Sequence, residues 1–168
     1  MIKNKLNHFK ITNSLSDEHI NQLVVYSKED PDVLQFTRDA KRFVTHEATK
    51  QFTDEADMYA LLDNDMVVGI IWFSSKPLPN KQFTKIFDQN KYDTTFAIRL
   101  YGEAKGKGLS LPFMKEAFTR FAEEKEKSMG IWLQTRAENV RAIHLYEKFG
   151  FKQISDSDTE GCIIMICF

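Results

Sequence analysis

The chain has 168 residues, 42% of them apolar and 12% aromatic, with 7 glycines and 4 prolines, material for one packed domain over 1–168 and not for a disordered or fibrous chain. Lysine and arginine total 23 against 24 aspartates and glutamates, so the net charge is -1 and no field favours nucleic acid or an anionic membrane as partner. Any anion site must be local.

The apolar runs Met66 to Phe73 and Gly161 to Phe168 have eight residues each, short of the roughly 20 that span a bilayer, so no membrane segment is predicted. Polar residues interrupt the opening Met1 to Lys10 where a signal peptide needs an apolar stretch, and a cytoplasmic location is expected. Cys162 and Cys167 fall five apart in one predicted strand, on opposite faces and roughly 16 Å from one another, too far to bridge. A reducing compartment agrees with that.

In chain order, a first strand is predicted near Asn7 to Thr12. Ser16 with Asp17 and Glu18 offers an N-cap and acidic first turn for a helix to about Lys28. Pro31 separates it from a second helical stretch, roughly Val33 to Phe52, of mixed periodicity. Met58 to Leu62 and Met66 to Ser74 flank Asp63-Asn64-Asp65, turn chemistry between antiparallel strands, and read as a hairpin. Within it, Trp72 and Phe73 read as strand core. Lys76 to Lys91 opens with Pro77 and Pro79 and suggests a short helix around Gln82 to Asp88. Thr94 to Tyr101 alternates like a strand and ends at Gly102.

Met114, Ala117, Phe118 and Phe121 make the stripe of an amphipathic helix whose charged end is Glu123 to Lys127 and whose stop is Gly130. Ile131 to Thr135 reads as a strand. Ala142, Leu145, Tyr146 and Phe149 repeat the helical stripe up to Gly150, and Phe151 to Ser155 and Cys162 to Phe168 read as closing strands. The strand, helix, strand unit in this half implies a parallel pair with a right-handed crossover. The expected class is α/β.

Between strand and helix lies Gly102-Glu103-Ala104-Lys105-Gly106-Lys107-Gly108-Leu109-Ser110. Glycines admit close approach of a ligand, a helix N-terminus presents unpaired N–H groups, and Lys105 and Lys107 add charge, a combination suited to phosphate or pyrophosphate. Pro112 fits a helix start. A P-loop fails here, because three residues separate Gly102 from Gly106-Lys107 and Gly108 replaces the hydroxyl residue. A dinucleotide fingerprint from Gly106 fails at Leu111. Taken alone, the loop reads equally well as a solvated turn.

Downstream comes Asn139-Val140-Arg141-Ala142-Ile143-His144-Leu145-Tyr146-Glu147-Lys148-Phe149-Gly150-Phe151. Together the two segments resemble those of the GCN5-related N-acetyltransferase (GNAT) superfamily, which transfers an acetyl group from acetyl-CoA to an amine. In that family an Arg/Gln-x-x-Gly-x-Gly/Ala loop binds the CoA pyrophosphate, and an Asn-x-x-Ala-x-x-x-Tyr-x-x-x-Gly-Phe segment follows the fifth strand. Asn139, Ala142, Tyr146, Gly150 and Phe151 match the second segment. In the first, Gly108 matches, while Lys105 and Ser110 depart: lysine lacks the guanidinium fork and serine adds a hydroxyl.

The resemblance implies a mixed, mostly antiparallel central sheet of six to seven strands with about four helices. It implies acetyl-CoA as cosubstrate, with the amides of Gly106, Lys107, Gly108, Leu109 and Ser110 on the pyrophosphate and Lys105 beside them. The Leu100 backbone, at a strand bulge, would meet the thioester oxygen. Asn139 would contact the CoA arm and Tyr146 would act as general acid on the departing thiolate. The two lie two helical turns apart on one face, roughly 10 Å along the axis. On pattern alone Tyr146 reads as a core tyrosine and Asn139 as an N-cap. Candidates for a general base are Asp93, Glu103, His46 and Glu47. His144 and the other scattered histidines show no ligand spacing, so no metal site is predicted.

The expected activity is acetyl transfer to a primary amine of a small molecule or peptide, with Asp30-Pro31-Asp32 and Pro77-Leu78-Pro79 in the segments that set the acceptor in such proteins. The alternative is a non-catalytic acyl-CoA-binding or regulatory module on the same fold. The resemblance also allows a homodimer, for which apolar Ile163 to Phe168 offers a surface unless its own chain buries it.

Overall fold

A computed structural model describes residues 5–37, 41–79, 83–125 and 130–168. The elements run β1 (Lys10–Thr12), α1 (Asp17–Glu29), α2 (Pro31–Phe36), α3 (His46–Glu55), β2 (Asp57–Asp63), β3 (Met66–Ser75), β4 (Tyr92–Leu100), α4 (Ser110–Lys125), β5 (Gly130–Arg136), α5 (Val140–Phe149), β6 (Lys152–Gln153) and β7 (Cys162–Cys167). The strands form a mixed seven-stranded sheet in the order β1-β2-β3-β4-β5-β7-β6. β1 on β2, β5 on β7 and β6 on β7 are antiparallel, and β4 on β5 is the parallel pair that the strand, helix, strand order implies.

Two compact units divide the chain: 1–72 with 98–117, and 73–97 with 118–168. In the first, α1 begins at a capping box in which Ser16 Oγ accepts from the His19 amide at 3.3 Å and His19 Nδ1 accepts from the Ser16 amide at 3.1 Å. The expected second helix is two. Asp30 caps α2 with Pro31 in its first turn, Thr37 ends it, and Thr45 opens α3 by accepting from the Ala48 amide. That pair of caps explains the mixed periodicity of the stretch, of which residues 38–40 lie outside the described residues. The hairpin turns on Asn64 and Asp65, both at positive φ (46° and 67°), as a two-residue turn matched to strand twist requires. Trp72 is 4% exposed and packs on Phe43 and Phe52, a core position as expected.

In the second unit, Phe73 is fully buried and stacks on Phe121 at 4.0 Å, an aromatic contact contributing about 1 kcal/mol beyond its burial. The helix expected around Gln82 to Asp88 is absent over 83–88, and Gln82 itself lies outside the described residues. The Thr84 amide donates to the Ile154 carbonyl at 3.0 Å instead of to a helical turn, and Phe83 and Phe87 pack against the cluster of Leu78, Tyr92 and Trp132. A 3-10 turn, Gln89–Lys91, follows. Gly130 is not a helix stop but the first residue of β5, paired with Tyr92, and a Cβ there would stand 2.6 Å from the Lys91 carbonyl oxygen. Lys127, in the expected charged end of α4, lies outside the described residues. Cys162 and Cys167 are both free, and Ile163, Ile164 and Met165 are buried within the chain. Among the described residues no helix is long and apolar enough to cross a membrane.

Candidate functional site

In the first unit, β4 ends at Leu100 and the backbone turns through a 3-10 turn, Gly102–Ala104, into the glycine loop. Tyr101, 2% exposed, anchors the turn: its amide donates to the Val68 carbonyl at 2.9 Å and its ring stacks on Tyr26 at 4.2 Å. Ala104 and Leu109 are buried, while Gly106, Lys107 and Gly108 between them are exposed. Gly106 and Gly108 take φ of +74° and +69°, which residues with a side chain rarely adopt. The backbone over 105–108 is hydrogen-bonded as a turn, and the amides from Gly106 to Ser110 follow one another to the start of α4. They lead into the 16-residue helix α4, whose partial positive charge adds to theirs.

The loop cations take different directions. Lys107 is 57% exposed and lies 3.9 Å from Glu103, which is itself 98% exposed. The Lys105 ammonium turns back to the α1/α2 corner, 2.8 and 2.6 Å from the two Asp30 oxygens and 3.0 Å from Asp32. Burial works against its charge, but the hydrogen bonds and attraction of the two carboxylates outweigh it and raise its pKa above the ordinary lysine value. Burial and the nearby Asp30 charge also push the Tyr26 hydroxyl upward. The partnership of Lys105 with Asp30 escaped sequence reading because 75 residues separate them. What the sequence does contain is Asp30-Pro31-Asp32, a readable helix cap. Lys5 was also missed: its Nζ lies 2.7 Å from where a Gly108 Cβ would be and 3.5 Å from the Lys107 carbonyl oxygen.

In the second unit, Asn139 caps α5, its side chain accepting from the Ala142 amide at 3.2 Å. Tyr146 lies in the last turn, its ring edge-on to Phe96 at 6.2 Å and against Phe151 at 5.9 Å. Burial raises its pKa to about 12, so the hydroxyl keeps its proton throughout the neutral range. Gly150, at φ 125°, ends the helix, and both its amide and that of Phe151 donate to the Tyr146 carbonyl. The register irregularity of β4 against β5 falls between Tyr92 and Thr94, toward the start of the strand.

Asp93 accepts from the Thr94 hydroxyl, His46 lies 3.4 Å from Asp17, and Glu103 faces solvent beside Lys107. Hydrogen bonds from its own backbone and from Thr45 lower the Glu47 pKa, which makes it a weak base. Among the described residues no group of three histidines, cysteines or carboxylates is placed to hold a metal ion.

The sequence profile described as "Acetyltransferase (GNAT) domain" matches residues 12–152. Among solved structures, the ribosomal-protein-S5-alanine acetyltransferase from Vibrio fischeri superposes with a TM-score of 0.72 at 12% identity, covering 96% of this chain and 93% of that one. AAC(6')-Ib in complex with ribostamycin and coenzyme A gives 0.67 at 14% identity, covering 95% and 92%. The putative acetyltransferase yncA from Salmonella typhimurium with acetyl-CoA gives 0.69 at 15%, covering 96% and 94%. At these identities the likeness is one of fold. No curated protein matches the chain by sequence.

Proposed function

Because the chain belongs to the GNAT acetyltransferase family, we propose that it is an N-acetyltransferase moving the acetyl group of acetyl-CoA directly onto a primary amine of a small molecule or peptide. The observation that carries this is the row of amides from Gly106 to Ser110, the first three on exposed residues, at the N-terminus of α4. Two positive-φ glycines hold that row open, as a pyrophosphate requires. The family match takes in residues of both compact units, which supports reading 1–168 as a single domain. A cytoplasmic setting suits the two free thiols.

Acetyl-CoA supplies an activated carbonyl. The loop amides bind its pyrophosphate, Lys107 adds a screened charge, and Asn139 contacts the arm while still capping α5. The Leu100 N–H meets the oxygen charge that develops as the amine attacks the carbonyl carbon. The carbon–sulfur bond then breaks, the thiolate leaves, and the proton lost by the amine passes to water. Tyr146 donates a hydrogen bond to the leaving sulfur. At about 12 against about 8.5 for an ordinary thiol, the phenol is the weaker acid, so this hydrogen bond matters more than a completed proton transfer.

Isothermal titration with acetyl-CoA, followed by thiol release on a panel of primary amines, tests the reading. Micromolar binding with release on at least one amine is expected. Binding without release on any amine favours the non-catalytic acyl-CoA-binding module, and no binding overturns both.

A further inference from the structure

The loop's expected phosphate ligand is already spoken for. Three carboxylate oxygens lie 2.6, 2.8 and 3.0 Å from the Lys105 ammonium, one for each of its three protons. Asp30 is 7% exposed at its side chain, and its Oδ1 also accepts from the Asp32 and Val33 amides at 3.0 and 3.2 Å. Turning Lys105 toward a pyrophosphate would leave Asp30 buried and charged without its cation, the arrangement that low-dielectric surroundings penalise most. The same corner grips the loop a second time, since the Asp30 amide donates to the Tyr26 carbonyl at 2.9 Å and the Tyr26 ring stacks on Tyr101 at the loop's start.

We infer that Lys105 is not a ligand of the cofactor but a positioning residue: with Asp30 and Asp32 it clamps the loop to the α1/α2 corner and so fixes the direction of the Gly106 to Ser110 amides. The inference rests on the acetyl-CoA reading above and assigns Asp30 a part in cofactor affinity without contact to the cofactor.

Asp30→Asn separates the two roles by sign. Asparagine keeps the helix cap and removes only the charge. If Lys105 is a clamp, Asp30→Asn raises the acetyl-CoA Kd about fivefold, Lys105→Met does the same, and the double variant is no weaker than the worse single one. Lys105→Arg, which can still pair with both carboxylates, returns the Kd to within about twofold. KM for acetyl-CoA rises in the single variants while kcat at saturation stays unchanged, a split that general loss of folding would not give. Asp32→Asn, which leaves the Asp32 amide's cap bond to Asp30 Oδ1 in place, gives a smaller rise in the same direction. If Lys105 is a direct ligand, Asp30→Asn frees it and the Kd falls. A fall or no change in the Asp30→Asn Kd overturns the clamp alone. A wild-type chain that binds no acetyl-CoA overturns the proposed function and the clamp with it.

Discussion

The glycine loop and the end of α5 offer opposite solutions to the same task of placing a polar group. The loop exposes Gly106, Lys107 and Gly108 and presents backbone N–H groups, with its shape set by two positive φ angles and an ion-paired corner. At the end of α5 one phenol is enclosed by the rings of Phe96 and Phe151. Under the proposed function, recognition by backbone would tolerate changes of side chain so long as the backbone path survives, so that Lys105 and Ser110 could depart from the family pattern. Recognition by a single buried hydroxyl would tolerate none.

The contrast is broken most sharply at Tyr146. Tyr146→Phe keeps the ring and its packing and removes the hydroxyl, so kcat should fall about 100-fold while the acetyl-CoA Kd stays within about twofold. An unchanged kcat in steady-state thiol release removes the proposed role.

A smaller effect separates the regions by pH. The folded pKa of Tyr146 is raised to about 12 from an ordinary 10, so its contribution to stability is complete below pH 10 and is lost as pH rises toward 12. Two pKa units correspond to roughly 2 to 3 kcal/mol. Lys105, also raised, loses its contribution in the same direction above pH 10.5. Thermal melts from pH 9 to 11.5 should fall steeply, and Tyr146→Phe should flatten the fall more than Lys105→Met does.

The smallest effect sharpens the loop side. Gly106 has no atom within 4 Å of an added Cβ, so Gly106→Ala meets only the backbone penalty of positive φ. It should cost about 1 kcal/mol in a denaturant melt and weaken acetyl-CoA binding severalfold.

The sequence discloses what is local and periodic. The cap at Ser16, the turn at Asn64-Asp65 and the stripe ending at Tyr146 are each settled within a few residues, and each takes its expected place in the structure. What escapes it is long-range. The Val33 to Phe52 stretch divides at caps that compete with an indistinct hydrophobic pattern, and 83–88 stays out of a helix where the Thr84 amide and hydroxyl find the Ile154 carbonyl. Gly130 shows the same ambiguity in one residue: glycine after a helix usually marks its stop, but here it makes room for the Lys91 carbonyl and the Tyr92 ring. In the candidate site the loop and the α5 segment were readable as motifs. The commitment of Lys105 to Asp30 was not, because no local rule links residues so far apart.

The chain's two tryptophans fall one in each compact unit, Trp72 against Phe43 and Phe52, and Trp132 with its indole N–H donating to the Lys76 carbonyl at 2.8 Å. Each unit therefore carries its own intrinsic fluorophore. Single-tryptophan variants turn denaturation into two separate optical traces, and their coincidence or separation reports whether the molecule unfolds as one cooperative body.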